Sequence, residues 1–278
     1  MRGFFRLSRP VNVLISMLSV LTAILICGVL AFEWRVLFAC LTGAFLTAAA
    51  NAVNDYFDLD IDLINRPYRP LPHGDIEPAE ALYFALGLFI LGVFFSYLIN
   101  IETLILAGIF SMLLIFYSAR WKRKVLIGNM VVSLATAFAF LYGGFVVNAI
   151  GKALFPALFA FLMHFGREII KDMEDIVGDR QNGAATFPIR YGNNAAKILV
   201  TALYIILFAI TYVPYALGLY GKLYVIIVTI GVNSVLVWSI ISIWHDSSRR
   251  NLRLMSAVIK ADMFIGLAAI YAGRWQRI

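Results

Sequence analysis

Nine apolar runs, cut apart by short polar turns, dominate this chain: Val11–Phe32, Val36–Phe57, Ala79–Ile99, Thr103–Ser118, Leu126–Val147, Ala153–Ile170, Ala195–Leu217, Leu223–Ile243 and Leu254–Trp275. Runs of about twenty apolar residues are long enough to cross a bilayer as helices. The fourth is the shortest. Hydrophobic residues make up 62% of the chain, charged residues 14%, and the mean hydropathy is +0.86. A soluble domain of 278 residues needs far more polar surface than that. The expectation is an all-α, multi-pass membrane protein: one domain over residues 1–278, nine spanning helices and a central cavity facing the cytoplasm.

Charge placement orients the bundle. With the N-terminus inside, one side carries 18 of the 23 basic residues, from Arg2, Arg6 and Arg9 through Arg66, Arg69 and the 120–124 cluster to Arg249, Arg250, Arg253 and Lys260. The other side has Arg35, Lys152, Lys222, Arg274 and Arg277. Positive residues concentrate on the cytoplasmic face, so the split predicts a cytoplasmic N-terminus in the cell membrane. The net charge of +7 then reports topology and affinity for anionic membrane lipid, not nucleic-acid binding. Cys27 and Cys40 lie inside the first two runs and read as small buried hydrophobes without a disulfide. No cleavable signal is evident, and nothing in the pattern calls for an obligate protein partner.

The chemistry is written in two acidic runs. Asn51, Asp55, Asp58 and Asp62 lie in NAVNDYFDLDID; Glu168, Asp172, Asp175 and Asp179 lie in EIIKDMEDIVGD. Both read i, i+4, i+7, i+11, and each member of the second follows its counterpart by 117 positions. On a helix that spacing lines the oxygens along one continuous stripe. Nine of the sixteen Asp and Glu fall in these two windows, a crowding that costs repulsion unless cations offset it. Oxygen donors without a matching His or Cys cluster favour Mg²⁺ over zinc. His164, one turn before Glu168 and deeper, reads as a hydrogen-bonded polar residue of the bundle. The repeated spacing hints at an internal duplication, a pseudo-twofold bundle with its site between halves.

Mg²⁺ held between two carboxylate stripes suits a diphosphate, whose departure needs its developing charge neutralised. A prenyl diphosphate fits best, because its apolar tail suits a greasy tunnel through a helix bundle. The loop NRPYRPLPHG has Pro67, Pro70 and Pro72 and is expected to be stiff and non-helical, holding Arg66 and Arg69 against phosphate.

The run Asn54-Asp55-x-x-Asp58-x-x-x-Asp62, then NRPYRPLPHG, then KDMEDIVGDRQNGAATFPIRYG, resembles the UbiA-type intramembrane prenyltransferases over nearly the whole chain. The resemblance implies Mg²⁺-dependent transfer of an isoprenoid chain to an acceptor. It places the metal on Asn51, Asp55, Asp58, Asp62, Asp172, Asp175 and Asp179. Asp55, Asp58, Asp172, Asp175 and Lys122 are the expected catalytic set. Arg9, Asn12, Arg66, Arg69, Tyr117, Lys122, Asn129 and Lys171 are the expected substrate contacts. The family's Tyr-x-x-x-Lys pattern is shifted here: Trp121 stands where the Lys falls after Tyr117, and Arg120, Lys122 and Arg123 are its candidate substitutes. The segments FFRLSRPVN, GREIIKDMEDIVGD and FYSARWKRKVLIGN point, within the family, to an ether-lipid branch. Its members move a geranylgeranyl chain from the diphosphate to geranylgeranylglyceryl phosphate. The acceptor phosphate is then expected on Arg66, Arg69, Arg120, Lys122 and Arg123. The aromatic- and chlorophyllide-acceptor branches share the core motifs.

Two other classes fit less well. A secondary transporter places its carboxylates near mid-membrane on broken helices, whereas here they end helices beside polar loops. A CDP-alcohol phosphotransferase has one acidic motif and an Asp-Gly-x-x-Ala-Arg opening, which is absent here. The topology is directly testable. After replacement of Cys27 and Cys40, single cysteines beside Arg66 and Asp179 stay unlabelled by an impermeant thiol reagent in intact cells, while one beside Lys222 reacts; the reverse pattern inverts the orientation.

Overall fold

The computed structural model describes residues 2–27, 33–121, 124–181 and 183–275. Those residues form helices and turns, with no strand among them. The long helices are α1 (Pro10–Ile26), α2 (Trp34–Phe57), α3 (Pro78–Tyr97), α4 (Ile101–Phe116), α5 (Ile127–Val146), α6 (Ile150–Glu174), α7 (Asn193–Ile210), α8 (Lys222–His245) and α9 (Arg249–Trp275). Eight spans, α2 to α9 with α4 carried on through Trp121 and α7 through Ala216, are each long and apolar enough to cross a membrane. The first expected span differs. Helix α1 is too short alone and reaches that length only with the short helix Arg2–Ser8, from which it turns by 48°. Arg9 forms the corner with φ of 52°, a left-handed conformation that costs a non-glycine residue energy, and Pro10 starts the next helix. The end of the expected first run, residues 28–32, lies outside the described residues.

Local sequence explains the ends. Glu77 and Glu80 form a reciprocal capping box on either side of Pro78, and Asn100 caps α4 by accepting from the Thr103 N–H at 2.8 Å. At the far end of the bundle, Arg274 donates to the Ile26 carbonyl (3.1 Å) and Lys152 to the Cys27 carbonyl (3.1 Å), satisfying carbonyls that α1 leaves open. Both cysteines are free; Cys40 is buried and Cys27 only partly so.

The proline loop departs from expectation. Pro70–His73 closes one helical turn, because Pro70 occupies the first position, where its fixed φ suits a helix and its missing N–H costs nothing. A second short helix, Leu59–Asn65, precedes it. The 172–194 segment likewise folds into two short helices, Ile176–Gln181 and Phe187–Tyr191.

Three apolar cores hold the bundle. One joins the inner faces of α1 and α5 to α9, with Ile169, Tyr204, Leu236 and Ile259 fully buried. A second packs Leu7 and Leu71 against α2, α3 and α4. The third joins α1, α2 and α5 through Val20, Ile24, Ala39, Tyr142 and Val146. Outward faces carry Ile90, Met112, Ile230 and Ile241, each more than 60% exposed, as lipid requires and water does not tolerate in such density. Helices α1 and α5 meet where Gly143 lies against α1: a Cβ there would fall 2.6 Å from the Ala23 Cβ and 2.7 Å from the Val20 carbonyl oxygen. Small residues of this kind let membrane helices approach closely. Gly143→Ala is therefore expected to lower the thermal midpoint in detergent, costing about 1–3 kcal/mol. Gly87→Ala, where the added methyl meets nothing within 4 Å, leaves it unchanged or raises it by up to about 1 kcal/mol through helix propensity.

Candidate active site

One cavity of about 510 Å³ runs into the bundle between the two acidic segments. Its mouth carries Asp58, Asp62, Arg66, Arg69, Asp172, Asp175 and Asp179; farther in come Ile15, Val20, Leu46, Phe110, Leu114 and Phe138. The rings of Phe110 and Phe138 stack at 4.1 Å. A charged mouth thus opens into an apolar well.

Neither acidic stripe lies on one unbroken helix, as the spacing predicted. Helix α2 ends at Phe57 and α6 at Glu174, and the residues that follow, Asp58 and Asp175, are third in their stripes. Their backbones match, with φ, ψ of −95°, 3° and −93°, 4°. Each then starts a short helix that carries the fourth member, Asp62 or Asp179. The break turns the last two carboxylates of each stripe over the cavity mouth. The duplication hinted at by spacing is matched, at these residues, in backbone conformation.

Arginines offset the carboxylates. Asp55, 2% exposed, takes Arg9 and, at 3.1 Å, Arg69; Arg69 also pairs with Asp62. Arg66 Nη2 lies 2.6 Å from Asp175 Oδ2, joining residues 109 apart in sequence. Burial works to lower the Arg66 pKa, but Asp175, Asp62 and Glu174 outweigh it and hold the guanidinium above its ordinary value. Arg69 is pushed the other way, by burial first and then by Arg9. Glu168 is held by Arg167 (2.9 Å) and Lys171 (2.8 Å), and Glu174 by Arg253 (3.0 Å). The roles of Arg167 and Arg253 escaped sequence reading, since both look like ordinary positive-inside residues until α6 and α9 are packed together.

The other expected site residues fall as follows. Asn129 donates to Asp172 Oδ2 at 2.8 Å, so it orients a carboxylate. Asn12 donates to Asn51 Oδ1 (3.2 Å), and Asn51 donates to the Ser8 carbonyl (2.9 Å), tying the first stripe to the N-terminal corner. Tyr117 is buried in the cavity wall. It begins a π turn, Tyr117–Trp121, whose i→i+5 bonding takes one residue more than an α turn. That extra residue matches the one-residue shift of the Tyr-x-x-x-Lys pattern. Lys122 and Arg123 lie outside the described residues. Arg120 is exposed and does not line the cavity. His164 lines the cavity, but its buried Nδ1 has no hydrogen-bond partner, contrary to the expectation from sequence.

A divalent cation fits this donor set. All the donors are oxygens, and Asp175 Oδ1 is buried without a partner while Oδ2 holds Arg66. Among the described residues no three His, Cys, Asp or Glu side chains converge as a complete cage. Mg²⁺ needs none: it typically takes one or two carboxylates and completes its shell with phosphate oxygens and water.

Residues 16–268 match the UbiA prenyltransferase family, and the chain belongs to that family. It is 37% identical over 275 residues to a digeranylgeranylglyceryl phosphate synthase of Methanopyrus kandleri, covering 98% of this chain and 99% of the relative. The fold also matches a solved structure described as digeranylgeranylglyceryl phosphate synthase in membranes, with TM-score 0.78, 30% identity and coverage of 99% and 98% of the two chains. A UbiA homologue from Archaeoglobus fulgidus, solved with DMAPP and Mg²⁺, shares the fold at TM-score 0.68 and 18% identity, over 96% of this chain and 99% of its own.

The two acidic segments meet through Asn65. Its side chain donates to the Asp175 carbonyl (3.3 Å), its carbonyl accepts from Arg249 (2.9 Å), and it lies against Gly178, where a Cβ would come within 2.4 Å of the amide. Gly178→Ala is expected to push Asn65 aside and loosen the mouth. Hydrogen–deuterium exchange should rise across residues 59–66 and 174–181, with α3 unchanged.

Proposed function

We propose that this protein transfers a geranylgeranyl chain from geranylgeranyl diphosphate to geranylgeranylglyceryl phosphate, a step of ether-lipid synthesis, with Mg²⁺ as cofactor. The observation that carries the reading is the single cavity joining two matched carboxylate segments to an apolar well. The relatives' shared name supports the choice of acceptor, and the Mg²⁺ and DMAPP of the Archaeoglobus homologue support metal and donor. We place the N-terminus and the cavity mouth on the cytoplasmic side, where phosphorylated substrates and Mg²⁺ are dissolved.

Asn51, Asp55, Asp58 and Asp62 on one side, and Asp172, Asp175 and Asp179 on the other, would hold the metal. When bound, Mg²⁺ neutralises the charge that gathers on the diphosphate as its bond to the allylic carbon breaks. Arg66 and Arg69 bind diphosphate oxygens through their planar forks. Asn129 keeps Asp172 aimed at the mouth. The apolar wall from Ile15 to Phe138 receives the isoprenoid tail and excludes water from the reacting carbon. Tyr117 presents its ring to positive charge developing there. The acceptor hydroxyl oxygen then forms the new ether bond and gives up its proton. Lys122 is kept as a further contact to the diphosphate.

Under this reading the purified protein turns over geranylgeranylglyceryl phosphate and not 4-hydroxybenzoate; the opposite result moves it to an aromatic-acceptor branch. EDTA abolishes activity and Mg²⁺ restores it. Asp55→Ala and Asp172→Ala each cost about 3–4 kcal/mol of transition-state stabilisation, several hundredfold in kcat/KM. Asn129→Ala, which removes only an orienting partner, costs about 10- to 100-fold. Near-normal turnover by folded Asp172→Ala would refute the metal assignment.

A further inference from the structure

Three further cations line the cavity wall. Arg167 and Lys171 lie on α6, and both touch Glu168. Lys260 lies on α9, one turn beyond Ser256, whose carbonyl accepts from Arg167 Nε at 3.1 Å. Lys260 is partly buried and lines the cavity, and among the described residues its ammonium makes no ion pair or hydrogen bond. Arg9, Arg167 and Lys171 line the same cavity with it. Glu168 is the carboxylate that pairs with Arg167 and Lys171, and it leaves Lys260 unmatched. A cation placed inside an apolar bundle without an anion is costly, and such residues mark binding sites.

Helix directions bring the three together. Helix α9 runs inward from the mouth and α6 runs outward to it. Side chains tilt toward the N-terminus of their own helix, so Lys260 leans toward the mouth while Lys171 and Arg167 lean inward. They converge on one level, beside Asp172. A second, mostly apolar cavity of about 70 Å³ opens from this wall, sharing Ile15, Ser19, Thr136, His164 and Met263 with the first and carrying one buried carboxylate, Asp262.

We propose that Lys260, with Arg167 and Lys171, is the binding site for the phosphate of the acceptor. This rests on the proposed function and refines it. Arg66 and Arg69 serve the diphosphate, and the acceptor phosphate goes to a separate cluster on α6 and α9. The second cavity offers the start of the acceptor's hydrocarbon chain an apolar path away from the donor's tail. A phosphate so placed sets the glyceryl hydroxyl, only a few bonds away, beside the carbon that leaves the diphosphate.

The test compares geranylgeranylglyceryl phosphate with geranylgeranylglycerol, which lacks the phosphate, in wild type, Lys260→Met and Lys260→Arg. Lys260→Met removes an unpaired buried charge and is expected to fold; Lys260→Gln is the substitute should it not. In Lys260→Met the KM for the phosphorylated acceptor rises about 10- to 100-fold, the loss of one charged hydrogen-bond partner. The KM for geranylgeranyl diphosphate stays within about twofold. The preference for phosphorylated over unphosphorylated acceptor falls by the same factor, and Lys260→Arg restores it. Without donor, the phosphorylated acceptor raises the thermal midpoint of wild type but not of Lys260→Met. An unchanged preference in Lys260→Met, or a loss borne by the KM for the donor, overturns this assignment alone. A wild type that never uses the phosphorylated ether overturns the proposed function and this assignment with it.

Discussion

Crowded carboxylates at one end of an apolar bundle repel one another, and the rest of the mouth is built to answer that repulsion. The answer comes from elsewhere in the chain. Arg9 stands at the corner before α1, Arg66 and Arg69 in the loop between α2 and α3, and Arg253 on α9. The Arg253–Glu174 pair reinforces a contact that the first core already makes between α9 and α6, and the Arg9 and Arg69 pairs fix segments whose Leu7 and Leu71 pack on α2. The Arg66–Asp175 pair crosses from the first acidic segment to the second at 2.6 Å, with both side chains 14% exposed. Removing one member of so buried a pair strands the other and typically costs about 3–5 kcal/mol. The pairs therefore shape the mouth as well as neutralise it.

Much of this was legible in the sequence because its periodicities are physical. Twenty-residue apolar runs have one outcome in a bilayer, and α2, α3 and α5 lie close to the runs that predicted them. The repeat of 117 positions pairs Asp58 with Asp175, and their backbones agree to within a few degrees. The break at those residues was not legible. Spacing of i, i+4, i+7, i+11 is the same whether a helix continues or turns after its third member. The turn depends on what the short helices pack against: Leu59–Asn65 lies beside Ile176–Gln181, with Asn65 against Gly178.

Single residues were harder to read than patterns. Lys260 carries no motif and looks like one more positive-inside lysine; only the antiparallel packing of α6 and α9 turns it toward Arg167. Asn129 read as a substrate contact, and the structure adds that its amide holds Asp172. His164 read as a satisfied polar group, but its ring opens on both cavities with Nδ1 unpaired. In each case the residue type was informative and the partner was not, because partners are set by which helix faces meet. The one-residue shift after Tyr117 is the converse: an irregularity in the motif that the π turn accounts for locally.

The same oxygens that hold arginine are those proposed to hold metal, and this sets how the site loads. A guanidinium pairs with carboxylate or with phosphate through one planar fork. If Asp175 holds the metal as proposed, Arg66 would be free to pair with a diphosphate oxygen in its place, and the carboxylate would keep a positive partner throughout. Asp175 is suited to begin the exchange, since one oxygen is bound and the other is buried with no partner. A lysine in place of Arg66 would keep the charge but present a compact, strongly hydrated point charge. The fork, more than the charge, links a site closed on itself to one open to substrate.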